Sequence, residues 1–157
     1  MNPLLLEILP LVRQGYCCSQ LLIHLLLQTA GASNPQLVRA ANGLCFGLGG
    51  SEGPCGLLTG GACVLGCLAG RGTDEEKAHP SLMPLLNDYQ QWFAQRTQNF
   101  SGSACFQIME GLSAETGMSN PGAGQQPDPM LCGDLLAQCW EKIIELLEAY
   151  GIPLEPR

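Results

Sequence analysis

"GPCGLLTGGACVLGCLAG", residues 53–70, carries no charged side chain, six glycines and three cysteines. How this run is read decides the fold. It could cross a membrane, cradle a phosphate, or form the buried axis of a helical domain. A transmembrane helix needs about 20 predominantly apolar residues. The run has 18, weakened by Thr59 and the glycines. The better reading is a helix from about Pro54 to Leu68, buried in a protein core. Gly56 and Gly60 are four apart and share a face, so a second backbone could approach closely there. "VLGC" at 64–67 has the look of a lipoprotein cleavage box, but 63 residues, expected helices among them, precede it. "GLGGSE" at 47–52 fails as a phosphate loop. Glu52 takes the third glycine place, no strand precedes it, and no lysine follows in the Walker position.

The flanking segments read as further helices. Asn2 and Pro3 suit the start of a first helix that ends by Gly15, with Pro10 expected to kink or divide it. "CCSQLLIHLLLQTAG" predicts a second helix to about Thr29. "NPQLVRAANGLCFG" predicts a third, capped by Asn34 with Pro35 at its first position. Thr73 and Glu76 have the spacing of a capping box, and the acidic run Asp74–Glu76 would suit a first helical turn. "SLMPLLNDYQQWFAQRTQ" reads as a long helix with Leu82, Leu86, Tyr89, Trp92 and Phe93 on one face. "GSACFQIMEGL" is a short helix. Residues 113–129 are expected to form a flexible loop. A last helix starts near Asp128–Pro129 and runs towards Gly151. No segment alternates with period two. The expected fold is all-α: one cysteine-rich domain over residues 1–157, a helical bundle around the buried glycine-rich helix.

Composition narrows the function. The chain has 157 residues, 46% hydrophobic and only 13% charged, with a net charge of −7. An acidic surface without a Lys/Arg cluster argues against nucleic-acid partners. The N-terminal segment holds Glu7 and Pro10 and lacks a basic region, so it does not read as a signal peptide. A cytoplasmic, reducing location is expected, with no membrane association. Cysteines in such a compartment are more often redox groups or metal ligands than structural disulfides.

Nine cysteines are present. Their spacing shows no CxxC pair, so a zinc ribbon or ferredoxin-type site built from local ligands is not expected. A different device recurs. Cys18, Cys55 and Cys105 each follow a glycine closely and fall at an expected helix start. Free N–H groups and a partial positive charge there favour a thiolate, so lowered pKa values are expected. Cys45, Cys63 and Cys67 read as small core residues. Cys132 and Cys139 share a face of the last helix, about 10 Å apart, too far for a relaxed disulfide between them. His24, in "LLIHLLL", reads as a satisfied core histidine, and His79, before Pro80, as exposed. No Ser-His-Asp or Cys-His arrangement supports hydrolysis.

Gly15-Tyr16-Cys17-Cys18-Ser19-Gln20, Cys55-Gly56-Leu57-Leu58-Thr59-Gly60 and Gly102-Ser103-Ala104-Cys105, with the late cysteines, resemble the C_GCAxxG_C_C family. The resemblance covers roughly Leu9 to Glu148. It implies four functional cysteines: Cys18, Cys55, Cys105 and one in the last helix, Cys139 by its closer match or else Cys132. Cys17, Cys45, Cys63 and Cys67 stand outside the pattern. Pro54 before Cys55, and a spacing one residue longer to Gly60, depart from it.

What the resemblance implies is a small helical protein with redox-active or metal-binding thiols. The leading expectation is a thiol redox protein using Cys18, Cys55, Cys105 and Cys139, with a redox or metal-transfer protein as partner. The alternative is a carrier of zinc or an iron–sulfur cluster on the same four thiolates. The third is an interaction module without chemistry, open to homodimer formation.

Overall fold

The computed structural model describes residues 2–120 and 130–155. Among them are eight helical segments: α1 (Pro3–Arg13), α2 (Cys18–Thr29), α3 (Pro35–Asn42), α4 (Cys45–Leu48), α5 (Gly56–Ala69), α6 (Leu82–Arg96), α7 (Cys105–Thr116) and α8 (Gly133–Ala149). The all-α expectation holds.

Local chemistry sets most of these boundaries. The Asn2 and Asn34 side chains accept from the Leu4 and Leu37 N–H groups, each 3.0 Å away, and cap α1 and α3. Gly15 and Gly31 follow α1 and α2 with positive φ, a conformation that costs glycine little. Pro10 lies inside α1 without dividing it. Residues 113–116 belong to α7, which stops at Gly117 in the left-handed region. Most of the expected loop, residues 121–129, lies outside the described residues, as does the Asp128–Pro129 start expected for the last helix. Helix α8 begins at Gly133.

The Thr73–Glu76 expectation is overturned. Glu76 does reach back to the Gly72 and Thr73 N–H groups, at 2.7 and 3.3 Å, but no helix follows. Pro80 disfavours helical backbone at His79, which leaves too few residues for a stable helix. The acidic run sits in a loop, where Asp74 pairs with exposed Arg71.

Helix α5 is the axis of the molecule. It packs against α2, α4, α6 and α8. Leu57, Val64, Leu65, Leu68 and Ala69 are buried along it. Against them lie Leu22 and Leu26 of α2, Leu85, Tyr89 and Phe93 of α6, and Leu136, Cys139 and Ile143 of α8. Glycines make this close packing possible. A Cβ on Gly60 would lie 2.7 Å from the Ser19 Cα. A Cβ on Gly61 would collide with the Tyr89 ring. The sequence expectation of a close-packing glycine face on α5 is met at Gly56 and Gly60.

Two histidine and cysteine expectations need correction. His24 is not satisfied: its Nε2 is buried with no hydrogen-bond partner among the described residues. Its ring meets Tyr16 edge-on, centroids 4.4 Å apart, and burial pushes its pKa down. Cys63 and Cys67 are half-buried and pack against the core cluster from its edge, short of the full burial expected of core residues.

Candidate functional site

The segment between α3 and α5 builds one wall of the site. Phe46, Gly47, Leu48, Gly49 and Ser51 all have positive φ. Left-handed backbone costs a non-glycine residue about 1–2 kcal/mol, so the surroundings must enforce it at Phe46, Leu48 and Ser51. Main-chain bonds do so. Gly53 N–H donates to Gly47 O at 3.1 Å, and Phe106 N–H donates to Ser51 O at 2.9 Å. A Cβ on Gly47 would lie 2.6 Å from Gly53 O, and one on Gly53 would lie 2.6 Å from Gly47 O. The glycine-rich run before α5 is thus a tight backbone crossing.

The same stitching brings two helix starts together. Cys55 N–H donates to Ser103 O at 3.2 Å, and Cys105 N–H donates to Gly53 O at 2.9 Å. An antiparallel bridge pairs Pro54 with Ala104. Cys55 directly precedes α5, and Cys105 is the first residue of α7. Cys18 is the first residue of α2. A Cβ on Gly56 would lie 2.6 Å from the Cys18 Sγ, so the missing side chain makes the space that sulfur occupies. All three glycine-linked cysteines therefore stand at helix N-termini and converge.

They converge on a small internal cavity of about 20 Å³, lined by Cys17, Cys18, Cys55, Cys105 and Cys132 with Phe46 and apolar side chains. Such a volume holds about one water. Cys132, which precedes α8, reaches the cavity; Cys139 does not line it. Cys139 is fully buried away from the cavity, within electrostatic reach of Cys18 and beside Tyr89. The Tyr89 hydroxyl donates to Leu57 O at 2.9 Å.

The expected low pKa values do not occur. Burial pushes the Cys18 thiol up to about 11, with Cys105 adding to the rise. The N–H groups of Ser19, Phe46 and Cys18 itself oppose that rise without cancelling it. Burial also raises Cys55 well above its ordinary value, with neighbouring Cys18, Cys132 and Cys105 contributing, while the Leu57 N–H lowers it. Burial raises Cys105 and pushes Cys139 up to about 12. Helix N-termini favour a thiolate, but here the loss of solvent outweighs them.

Cys17 and Cys45 form a disulfide, with Cα atoms 5.9 Å apart. Cys45 is therefore a bonded residue of the site, not a mere core side chain. Sequence spacing gave no signal for this pair, since it depends on how the turn after α3 folds back over α2. Among the described residues, no group of three or more His, Cys, Asp or Glu side chains is arranged to hold a metal ion. The Cys18, Cys55, Cys105 and Cys139 set has the soft donors that zinc or an iron–sulfur cluster takes, but as placed it does not fit such a centre.

The family model described as "Putative redox-active protein (C_GCAxxG_C_C)" matches residues 16–146. The chain belongs to this family. No curated protein and no solved structure matches it significantly. The C_GCAxxG_C_C match spans both helix starts that the 51–55 and 103–106 segments tie together, and it ends within α8. Among the described residues, no helix is long and apolar enough to cross a membrane.

Proposed function

We propose that this C_GCAxxG_C_C protein carries out thiol–disulfide redox chemistry at Cys18, Cys55 and Cys105, together with Cys132 just before α8 and Cys139 within it. The observation that carries the reading is the cavity where cysteines from four separate chain segments meet beside an existing disulfide. Thiols so close can pair in turn, by attack of one sulfur on another.

The raised pKa values give the chemistry a direction. Strong thiol oxidants owe their potential to a stabilised reduced form. Here burial removes that thiolate stabilisation. The dithiol form is then a ready electron donor, and its partner is another thiol redox protein presenting a disulfide.

The test is differential alkylation of the full chain before and after mild oxidation, mapped by mass spectrometry. At least two of the five cysteines should change state together. If all five keep the same state, the reading fails. Anaerobic purification with elemental analysis and a visible spectrum distinguishes the metal-carrier alternative, which requires stoichiometric metal. An unchanged cellular role after alanine replacement of these cysteines would instead identify an interaction module.

A further inference from the structure

We propose that the Cys17–Cys45 disulfide is an exchangeable redox couple, opened at the Cys17 sulfur by a cavity thiol with the Cys45 sulfur as leaving group. Neither cysteine belongs to the four-cysteine pattern of the family. The inference rests on the thiol-redox reading above and extends it to a second pair.

Geometry sets the direction. Of the two bonded residues, only Cys17 lines the cavity shared with Cys18, Cys55, Cys105 and Cys132. Attack from the cavity therefore meets the Cys17 sulfur and drives out Cys45 on the far side. A disulfide serving only as a staple has no need to present one sulfur to a nest of thiols.

A buried hydroxyl stands beside the bond that must break. The Ser19 hydroxyl, fully buried, lies 3.3 Å from the Cys17 Sγ and 3.5 Å from the Cys45 Sγ. It donates to Ala41 O at 2.9 Å. Rotation of that hydroxyl turns its proton towards the departing Cys45 sulfur, as required of a group that stabilises developing charge. The Asn42 Oδ1 lies 3.3 Å from the same sulfur, placed to accept the S–H once Cys45 has taken up its proton.

The step conserves electrons. A cavity thiol loses its proton and its sulfur bonds to the Cys17 Sγ. The Cys17–Cys45 bond breaks, and the Cys45 thiolate takes up a proton. One disulfide replaces another, so no outside oxidant is needed. The step also frees Cys45, which leads directly into the left-handed turn that carries Phe46 over the cavity. Opening the bond thus loosens the wall that closes off the thiols.

The experiment uses the full chain carrying a single disulfide, held without oxygen at about pH 8, quenched in acid, alkylated and mapped as peptides. Exchange predicts a fraction of chains, about a tenth or more, in which Cys45 is alkylated and Cys17 is linked to Cys55, Cys105 or Cys132. Cys45→Ser, oxidised in the same way, should raise those cross-links at least threefold. A Cys17–Cys45 link in every wild-type chain overturns the proposal. If an added oxidant then pairs the cavity thiols with one another, the thiol-redox reading stands alone. Cavity thiols that neither exchange nor oxidise overturn both.

Discussion

Gly60 of α5 faces the backbone of Ser19 in α2 so closely that a methyl group on it would sit 2.7 Å from the Ser19 Cα. No rotamer change relieves a contact with backbone. The two helices must move apart, and with them Cys18 and the Gly56 recess that receives its sulfur. Gly60→Ala should cost about 1–3 kcal/mol, the usual range for overpacking, read from urea unfolding. Gly66, on the same helix, has nothing within 4 Å of a built Cβ. Gly66→Ala should be neutral or stabilising by up to about 1 kcal/mol, because alanine is the better helix former.

The Cys17–Cys45 bond closes a loop of sequence separation 28. By chain entropy, a loop of that size stabilises the fold by about 3–4 kcal/mol. Cys45→Ala should lose that amount under oxidising conditions. Adding a reductant should lower the stability of the wild-type chain towards the variant and leave the variant unchanged. Equal reductant effects on both chains would show that some other disulfide carries the stability.

Ser19 lies between the two bonded sulfurs, with its Oγ 3.3 Å from Cys17 Sγ and 3.5 Å from Cys45 Sγ. Ser19→Ala should slow reduction of the disulfide by dithiothreitol about fivefold to tenfold, the effect of losing roughly 1 kcal/mol of hydrogen bonding to the leaving sulfur. A purely structural serine would lower unfolding stability and leave that rate unchanged or faster.

Much of this arrangement is written in short-range sequence signals. Asn2-Pro3 and Asn34-Pro35 start their helices by cap chemistry that needs only neighbouring residues. The glycine–cysteine pairing places Cys18, Cys55 and Cys105 at helix starts for the same reason. What the sequence does not reveal depends on contacts distant along the chain. The Thr73–Glu76 box looks sound until Pro80 limits the segment. The left-handed backbone at Phe46, Leu48 and Ser51 contradicts the preference of each residue and exists because Gly53 and Phe106 bond to the turn. The thiol pKa values miss for a similar reason: a helix start is a local feature, while the solvent lost around Cys18 and Cys55 is set by four helices at once. Cys132, not the more closely matching Cys139, reaches the cavity because α8 begins just after it.

The raised Cys18 pKa makes stability depend on alkaline pH. Its folded value of about 11 exceeds the ordinary thiol value of 9.0, so between these two values the unfolded chain has lost a proton that the folded chain keeps. The contribution is fully present below about pH 9 and is lost as pH rises through about 11. Unfolding free energy should therefore fall across that window. Alkaline pH acts on more than one kind of side chain, so Cys18→Ala is the comparison. Its alkaline decline should be shallower than that of the wild type, and an identical decline would contradict the burial assigned to this sulfur.

Tyr89 tests the deeper part of the site. Its hydroxyl donates to Leu57 O at 2.9 Å; turned towards Cys139, the same proton lowers a pKa that burial otherwise drives upward. Tyr89→Phe removes one hydroxyl and keeps the ring that fills the recess at Gly61. Stability should drop by about 0.5–1.5 kcal/mol, the net worth of one hydrogen bond. The Cys139 thiol, already pushed up to about 12, should rise further and alkylate more slowly at any pH below its midpoint. Cys105 has no interaction with Tyr89 among the causes of its shift, so its alkylation should keep the wild-type rate. Uniform slowing at Cys105 and Cys139 would mean that the hydroxyl acts on general access to the core. A change confined to Cys139 would show that Tyr89 tunes this one sulfur.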